Sequence, residues 1–163
     1  KAFLPGGKTA SATATTAFDI APAKWTVTPA SAAGKNGDAS NAIDGNNGTA
    51  YITDHSATTV AYPYELQVDL GETLSLKGFT YTPSTGKGVG GIVYGYAFYT
   101  SSDGQHWGKP VASGQFANIR NNPVPQTVPF KTPSARFIRF VALSPSDEKQ
   151  NWAGVAELGV ITR

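Results

Sequence analysis

The sequence predicts an all-β sandwich, on three observations. In "YELQVDL", residues 64–70, Tyr64, Leu66, Val68 and Leu70 alternate with Glu65, Gln67 and Asp69. That period of two marks a strand with one buried face. The chain holds 18 Gly and 11 Pro in 163 residues and only 15% charged residues, a composition of short strands joined by turns. No stretch carries a helical period long enough for a stable helix. A chain of this length is expected to form one compact domain with a sizeable core.

Taken in order, the small polar residues of "KAFLPGGKTASATAT" (1–15) read as a linker or disordered end, and the folded module is assigned to 16–163. Trp25, in "FDIAPAKWTV", is the first large core candidate, and Pro29 to Asp38 is loop-like. The strand at 64–70 is expected to stop at Gly71. In "LSLKGFTY" (74–81), Leu74 and Leu76 keep one phase and Phe79 and Tyr81 the other, so a bulge is expected at Gly78. "TPSTGKGVGG" (82–91) is a long loop. "IVYGYAFYTS" (92–101) places Tyr94, Tyr96 and Phe98 on one face, and "SSDGQHW" turns at Asp103-Gly104. "ARFIRFVAL" and "AELGVIT" are the late strands. The expected core is Trp25, Leu66, Val68, Tyr96, Phe98, Trp107, Phe137, Leu158 and Val160.

Composition also excludes function classes. A formal charge of +2 offers no basic stripe for nucleic acid. With no Cys there is no disulfide or thiolate metal site. The chain also lacks Met, even at position 1, and is read as a piece of a larger protein. No apolar run is long enough to span a bilayer.

"NAIDGNNGTAY" (41–51) is dense in oxygen donors: Asp44, Asn46 and Thr49 all offer one. Hard oxygen ligands suit calcium, but an EF-hand would need Glu at the twelfth loop position, which is His55. On composition alone the turn-forming role of Asp44 and Asn46 is favoured. "NGT" at Asn47 is a glycosylation sequon, given little weight. Lys87 in "GKGVGG" lacks the spacing of a phosphate loop. No Ser-His-acid set is visible, and the acidic residues are scattered, so the chain itself is read as non-catalytic.

"NAIDGNNGTAY", "ELQVDLG", "GFTYTP", "GGIVYGYAFYTSSDGQHW", "ARFIRFVAL" and "WAGVAELGV", in this order, resemble the discoidin, or coagulation factor V/VIII type C, superfamily, and within it the family 32 carbohydrate-binding modules. The likeness runs from about Trp25 to the C-terminus. It implies an eight-stranded jelly-roll β-sandwich of the galactose-binding-domain type. It also implies a structural calcium ion held by main-chain oxygens of Asn41, Asn46 and Ala156, carboxylates of Asp44 and Glu157, and the carbonyl and hydroxyl of Thr49. With the resemblance, the metal reading overtakes the turn-only one.

The resemblance further implies a glycan site where an aromatic face meets the apolar patch of a pyranose. The His, Arg and Asn positions of galactose-binding members fall here on Ile52, Ser84 and Gly90 and the first aromatic position on His55, while the last aromatic falls on Trp152. The galactose kit is thus mostly missing. His55, Asp54, Arg120 and Asn121 are the candidates for replacement contacts. Trp25 and Trp107 are read as structural, and His106 as exposed and inert.

The motif wording is similar to C-terminal modules of bacterial exo-glycosidases such as α-L-fucosidases. That implies a module tethering a glycoside hydrolase to host or plant glycans, outside the cytoplasm, at the cell surface or in the periplasm. As a fragment it is expected to be monomeric. Two rivals stand beside it: a structural accessory domain without sugar binding, and an adhesion module. Against membrane adhesion, the tips "TDHSATT", "TGKGVGG" and "IRNNPVP" are mostly polar, with Ile119 and Val124 the apolar residues of the last.

Overall fold

The computed structural model describes residues 24–29, 31, 34, 37–54, 56, 62–86, 90–131 and 134–162. The linker reading of 1–15, the start of the module at 16–23, His55 and Lys87 lie outside these residues.

Nine strands form among the described residues: β1 Thr26–Pro29, β2 Tyr51–Ile52, β3 Tyr64–Leu74, β4 Gly78–Pro83, β5 Val93–Ser101, β6 Ala112–Gln115, β7 Gln126–Pro129, β8 Ala135–Pro145 and β9 Gly154–Ile161. They make a five-stranded sheet, β1-β3-β8-β5-β6, and a four-stranded sheet, β2-β9-β4-β7. Every ladder is antiparallel. The expected all-β sandwich is therefore the observed one, with the two-residue β2 included in the strand count. A short 3-10 turn, Ala39–Ala42, is capped by Asp38, whose carboxylate accepts the Ser40 N–H at 2.8 Å.

The core lies between the sheets. Phe79 of β4 stacks on Phe98 of β5 with ring centroids 4.3 Å apart, and Tyr81 stacks on Phe140 at 5.4 Å. Leu66, Val68, Leu70, Ile138, Phe140 and Leu158 are buried around them. The alternation read in 64–70 is thus the core-facing phase of β3. Val160 packs partly buried against this cluster.

Several local expectations are corrected. The phase change at Gly78 is no bulge. β3 continues past Gly71 to Leu74, with its register slipping between Asp69 and Leu74, and the chain then crosses to the other sheet before β4 begins. Leu74 and Phe79 belong to different sheets, so they need share no phase. Gly78 tolerates no side chain: a Cβ there would lie 2.7 Å from the Val128 carbonyl oxygen.

Phe137 and Trp107 are not core. Ile138 and Phe140 take the inward phase of β8, which turns Phe137 and Arg139 outward. Arg139 then lies between two rings, 4.6 Å from the Tyr99 centroid and 4.7 Å from that of Trp107. Trp107 remains structural, as a cation–π lid on the outer sheet face. Tyr94 does not share a face with Tyr96 and Phe98. It is 36% exposed while Val93 beside it is fully buried. The β5–β8 register slips on both sides of Gly95, and that reverses the phase of Tyr94.

Candidate functional site

Two groups of predicted residues can be placed. The first is the loop 41–51 with β9. Asp44 accepts the Asn46 N–H at 2.8 Å through Oδ1 and the Thr49 hydroxyl at 2.7 Å through Oδ2. The Asn46 N–H also donates to Glu157 Oε1 at 2.9 Å, joining positions 111 residues apart. Asn41 lies alongside, its Nδ2 donating to the Ala50 carbonyl at 3.2 Å.

A bulge explains how β9 reaches this loop. Thr82 pairs with Glu157 and the next residue, Pro83, with Val155, so Ala156 is left without a β4 partner. Val155 and Leu158 both face the core, and the two residues between them leave the core phase. A bulge re-aims side chains in this way. Ala156 packs instead with Ala50 and Ile52.

The electrostatics of the pair are unbalanced. Burial, and then the hydrogen bond and charge of Asp44, push the Glu157 carboxyl up to about 7. Burial works against Asp44, but hydrogen bonds from Thr49 and Asn46 keep its carboxyl below the usual carboxylate range. The nearby Asp44 charge is thus one of the reasons the Glu157 carboxyl resists ionisation. Among the described residues no group of three or more His, Asp or Glu converges. A cation here would take these two carboxylates, with hydroxyl and carbonyl oxygens completing the set, which is a hard-ion donor set.

The second group sits at the sandwich end where β4 finishes and β5 and β9 begin. A parallel bridge between Ile92 and Gly154 joins the chain there, with the Gly154 N–H donating to Gly91 O at 2.7 Å. Gly154 is crowded: a Cβ on it would lie 2.3 Å from Gly90 O, 2.9 Å from Ser84 Cβ and 3.0 Å from Ile52 Cδ1. So the positions 52, 84 and 90, which the resemblance grouped, do converge. They present little to a ligand, because Ile52 is 5% and Ser84 2% exposed and Gly90 has no side chain.

Trp152 is half-buried against Ala50, Ile52 and Ala156. The stretch around it is fastened by side chains the sequence reading passed over. Tyr62 Oη donates to the Trp152 carbonyl at 2.7 Å, Tyr64 Oη donates to the Asn151 carbonyl, and the Ala153 N–H donates to Thr53 Oγ1 at 2.9 Å. Gln150 accepts the Gly91 N–H at 3.0 Å. In the sequence Tyr62 stands just before the strand at 64–70 and Thr53 opens the polar tip "TDHSATT". Nothing local showed that both would reach across to 151–153.

Of the remaining candidates, Asp54 accepts the N–H and hydroxyl of Ser56 at 2.8 and 2.6 Å. Arg120 pairs with Asp147 at 3.3 Å with both side chains accessible. Asn121 turns back, its Nδ2 donating to Asn118 Oδ1 at 3.1 Å. Ile119 is buried and anchors that loop, so of the two apolar tip residues only Val124 is exposed. His106 is exposed and lies 2.7 Å from Asp103 Oδ2. No helix among the described residues is long and apolar enough to cross a membrane.

A family profile described as "F5/8 type C domain" matches residues 26–158. A sialidase of Micromonospora viridifaciens is 40% identical over 127 residues, 77% of this chain and 19% of its own length. A galactose oxidase of Gibberella zeae is 33% identical over 138 residues, 83% of this chain and 19% of its own. The chain thus spans about a fifth of these relatives. Among solved structures, the family 32 carbohydrate-binding module of a Clostridium perfringens protein, in complex with galactose, superposes with a TM-score of 0.73 at 29% identity. It covers 86% of this chain and 96% of its own. With the profile spanning both sheets and the fold close to family 32 modules, this chain belongs to the F5/8 type C domain family.

Proposed function

We propose that the chain is a non-catalytic carbohydrate-binding module that holds an attached carbohydrate-active enzyme against glycans outside the cytoplasm. The observation that carries this is Trp152, an aromatic held by main-chain fastenings at the sandwich end where the positions of the family's sugar readers converge. An aromatic ring with a few polar neighbours is the minimum for stacking a pyranose. The galactose complex of the Clostridium perfringens module supports the ligand class.

The sugar is not expected to be terminal galactose. Positions 52, 84 and 90 supply no exposed polar side chain here, and strong discrimination needs polar groups that the right ligand pairs. Stacking with a few exposed hydrogen bonds gives millimolar affinity, roughly −4 kcal/mol. The attached enzyme is a glycoside hydrolase on this reading, which the sialidase relative supports. The α-L-fucosidase assignment rests on motif wording alone.

The Asp44–Glu157 site holds a structural calcium ion. Its contribution is positive charge that lets both carboxylates stay ionised, and so ties β9 to the 41–51 loop. A second reading, an accessory domain that packs on its neighbour and binds no sugar, draws on the burial of Ile52 and Ser84.

The deciding experiment is a glycan array on the isolated chain, followed by NMR titration of hits against native protein and Trp152→Ala. Retained glycans that Trp152→Ala releases support the module reading. Retention of no glycan favours the accessory domain, and tight galactose binding indifferent to Trp152→Ala refutes the placement of the site.

A further inference from the structure

We propose that the cleft beside Tyr94 is a second sugar subsite, taking a neutral pyranose next to one held at Trp152, so that the module reads an oligosaccharide. This rests on the carbohydrate reading above.

The argument begins with the paired irregularity in β5 and β8. Val93 pairs with Pro145 and Gly95 with Ser144, so Tyr94 is extra on β5. Tyr96 then pairs with Ala142, so Leu143 is extra on β8. These two are among the three large hydrophobic residues exposed in the molecule's described part, at 36% and 47%. The arrangement requires Gly95: its N–H donates to Ser144 Oγ at 3.0 Å, and a Cβ there would lie 2.6 Å from that oxygen. The sheet therefore gives up regular pairing at one place, and the consequence is an outward tyrosine. Bulges beside functional sites aim side chains in this way.

Tyr94 faces a cleft. Its hydroxyl donates to Gln115 Oε1 at 3.0 Å, which steers the ring. With Asn118, Arg120, Ser146, Asp147 and Lys149 it lines a space of ≈ 610 Å³, within the roughly 300–1,000 Å³ usual for small-ligand sites. The polar groups are of the kind that meet sugar hydroxyls: a guanidinium, a carboxylate, an ammonium and a hydroxyl. Arg120 and Asp147 sit 3.3 Å apart and accessible to water, a pairing weak enough to be exchanged for ligand hydroxyls. Arg120 and Lys149 are balanced by Asp147 and the neighbouring Glu148, so the cleft favours a neutral residue over an anion.

One turn connects the cleft to Trp152. The Ser146 N–H donates to Ile92 O at 2.8 Å, and the Gln150 N–H to Asp147 O at 2.9 Å. Gln150 then accepts the Gly91 N–H, two residues before Trp152. The turn whose residues 145–149 line the cleft beside Tyr94 thus continues, through Gln150, to within two residues of Trp152.

The test titrates native protein, Trp152→Ala, Tyr94→Ala and Tyr94→Phe, all checked for native melting curves, with two sets of probes. Galactose, N-acetylglucosamine and fucose are the single sugars; N,N′-diacetylchitobiose, 2′-fucosyllactose and lacto-N-triose II, which end in residues other than galactose, are the longer ones. The expected result is that a longer probe binds native protein about three- to ten-fold tighter than any single sugar. Amides of Tyr94, Arg120 and Asp147 shift only with the longer probes. Tyr94→Ala removes the gain and Tyr94→Phe keeps most of it. A gain that survives Tyr94→Ala but not Trp152→Ala overturns the subsite and leaves the module reading standing. No amide shift with any of the six probes overturns both.

Discussion

Stripping calcium from the 41–51 loop is expected to cost the domain several degrees of thermal stability. The perturbation is excess EDTA, beside the variant Asp44→Ala. A ligand that binds only the folded state, free at a thousand times its dissociation constant, stabilises that state by about 4 kcal/mol. A chain of 163 residues shifts its melting temperature by roughly 2–4 °C per kcal/mol. Chelation thus lowers Tm by about 8–16 °C under those conditions. The structure indicates where the loss arises. Without a cation the Glu157 carboxyl is pushed up to about 7, and the hydrogen bond from Asn46 to Glu157 is among the links that join loop to strand. Asp44→Ala removes the acceptor of the Asn46 N–H and the Thr49 hydroxyl, so it melts lower than native protein with calcium present. It then has no further response to EDTA. The assay is differential scanning calorimetry with and without chelator, with elemental analysis of protein purified without added metal. An unchanged native melt in excess EDTA, together with no bound metal, refutes the reasoning.

Three further outcomes are expected. Tyr81→Phe destabilises by about 1–3 kcal/mol in urea unfolding, because the buried hydroxyl donates to Gly154 O at 3.0 Å and accepts the Val93 N–H at 3.1 Å, and both partners are left unpaired. Gly91→Ala, at φ 76°, puts a Cβ 2.6 Å from Trp152 Cδ1 and 2.7 Å from Gly154 N, so the Trp152 fluorescence spectrum changes and any glycan binding weakens. Arg136 donates two hydrogen bonds of 2.8 Å to Asp69 and holds that carboxyl below its ordinary 3.8. The folded pKa is depressed, so this stabilisation is present above about pH 4 and is lost as the pH falls through the folded value. The gap in urea midpoint between native protein and Arg136→Gln therefore closes on acidification.

The β3 pattern was legible because one face of that strand meets the core along its first seven residues, and burial on one face writes a period of two into the sequence. Phe79 and Tyr81 of β4 and Tyr96 and Phe98 of β5 were legible for the same kind of local reason, as large aromatics on the buried face of a strand. Asp44, Thr49 and Glu157 could be named as one set only through a resemblance, since nothing in the chain itself relates the 41–51 loop to so distant a residue as Glu157. What the tertiary structure alone decided was the phase of residues at irregular pairing. Tyr94 leaves the expected face, and Leu143 and Ala156 fall out of phase with their strand neighbours, because a partner strand has one residue too few or too many opposite them, and that count belongs to the pair of strands. Phe137 and Trp107 are hydrophobic by type, yet they lie outside the core because Ile138 and Phe140 occupy the inward phase of β8. Residue chemistry gave the inventory of the site. Register and sheet packing decided which of those side chains face water, and so which can meet a ligand.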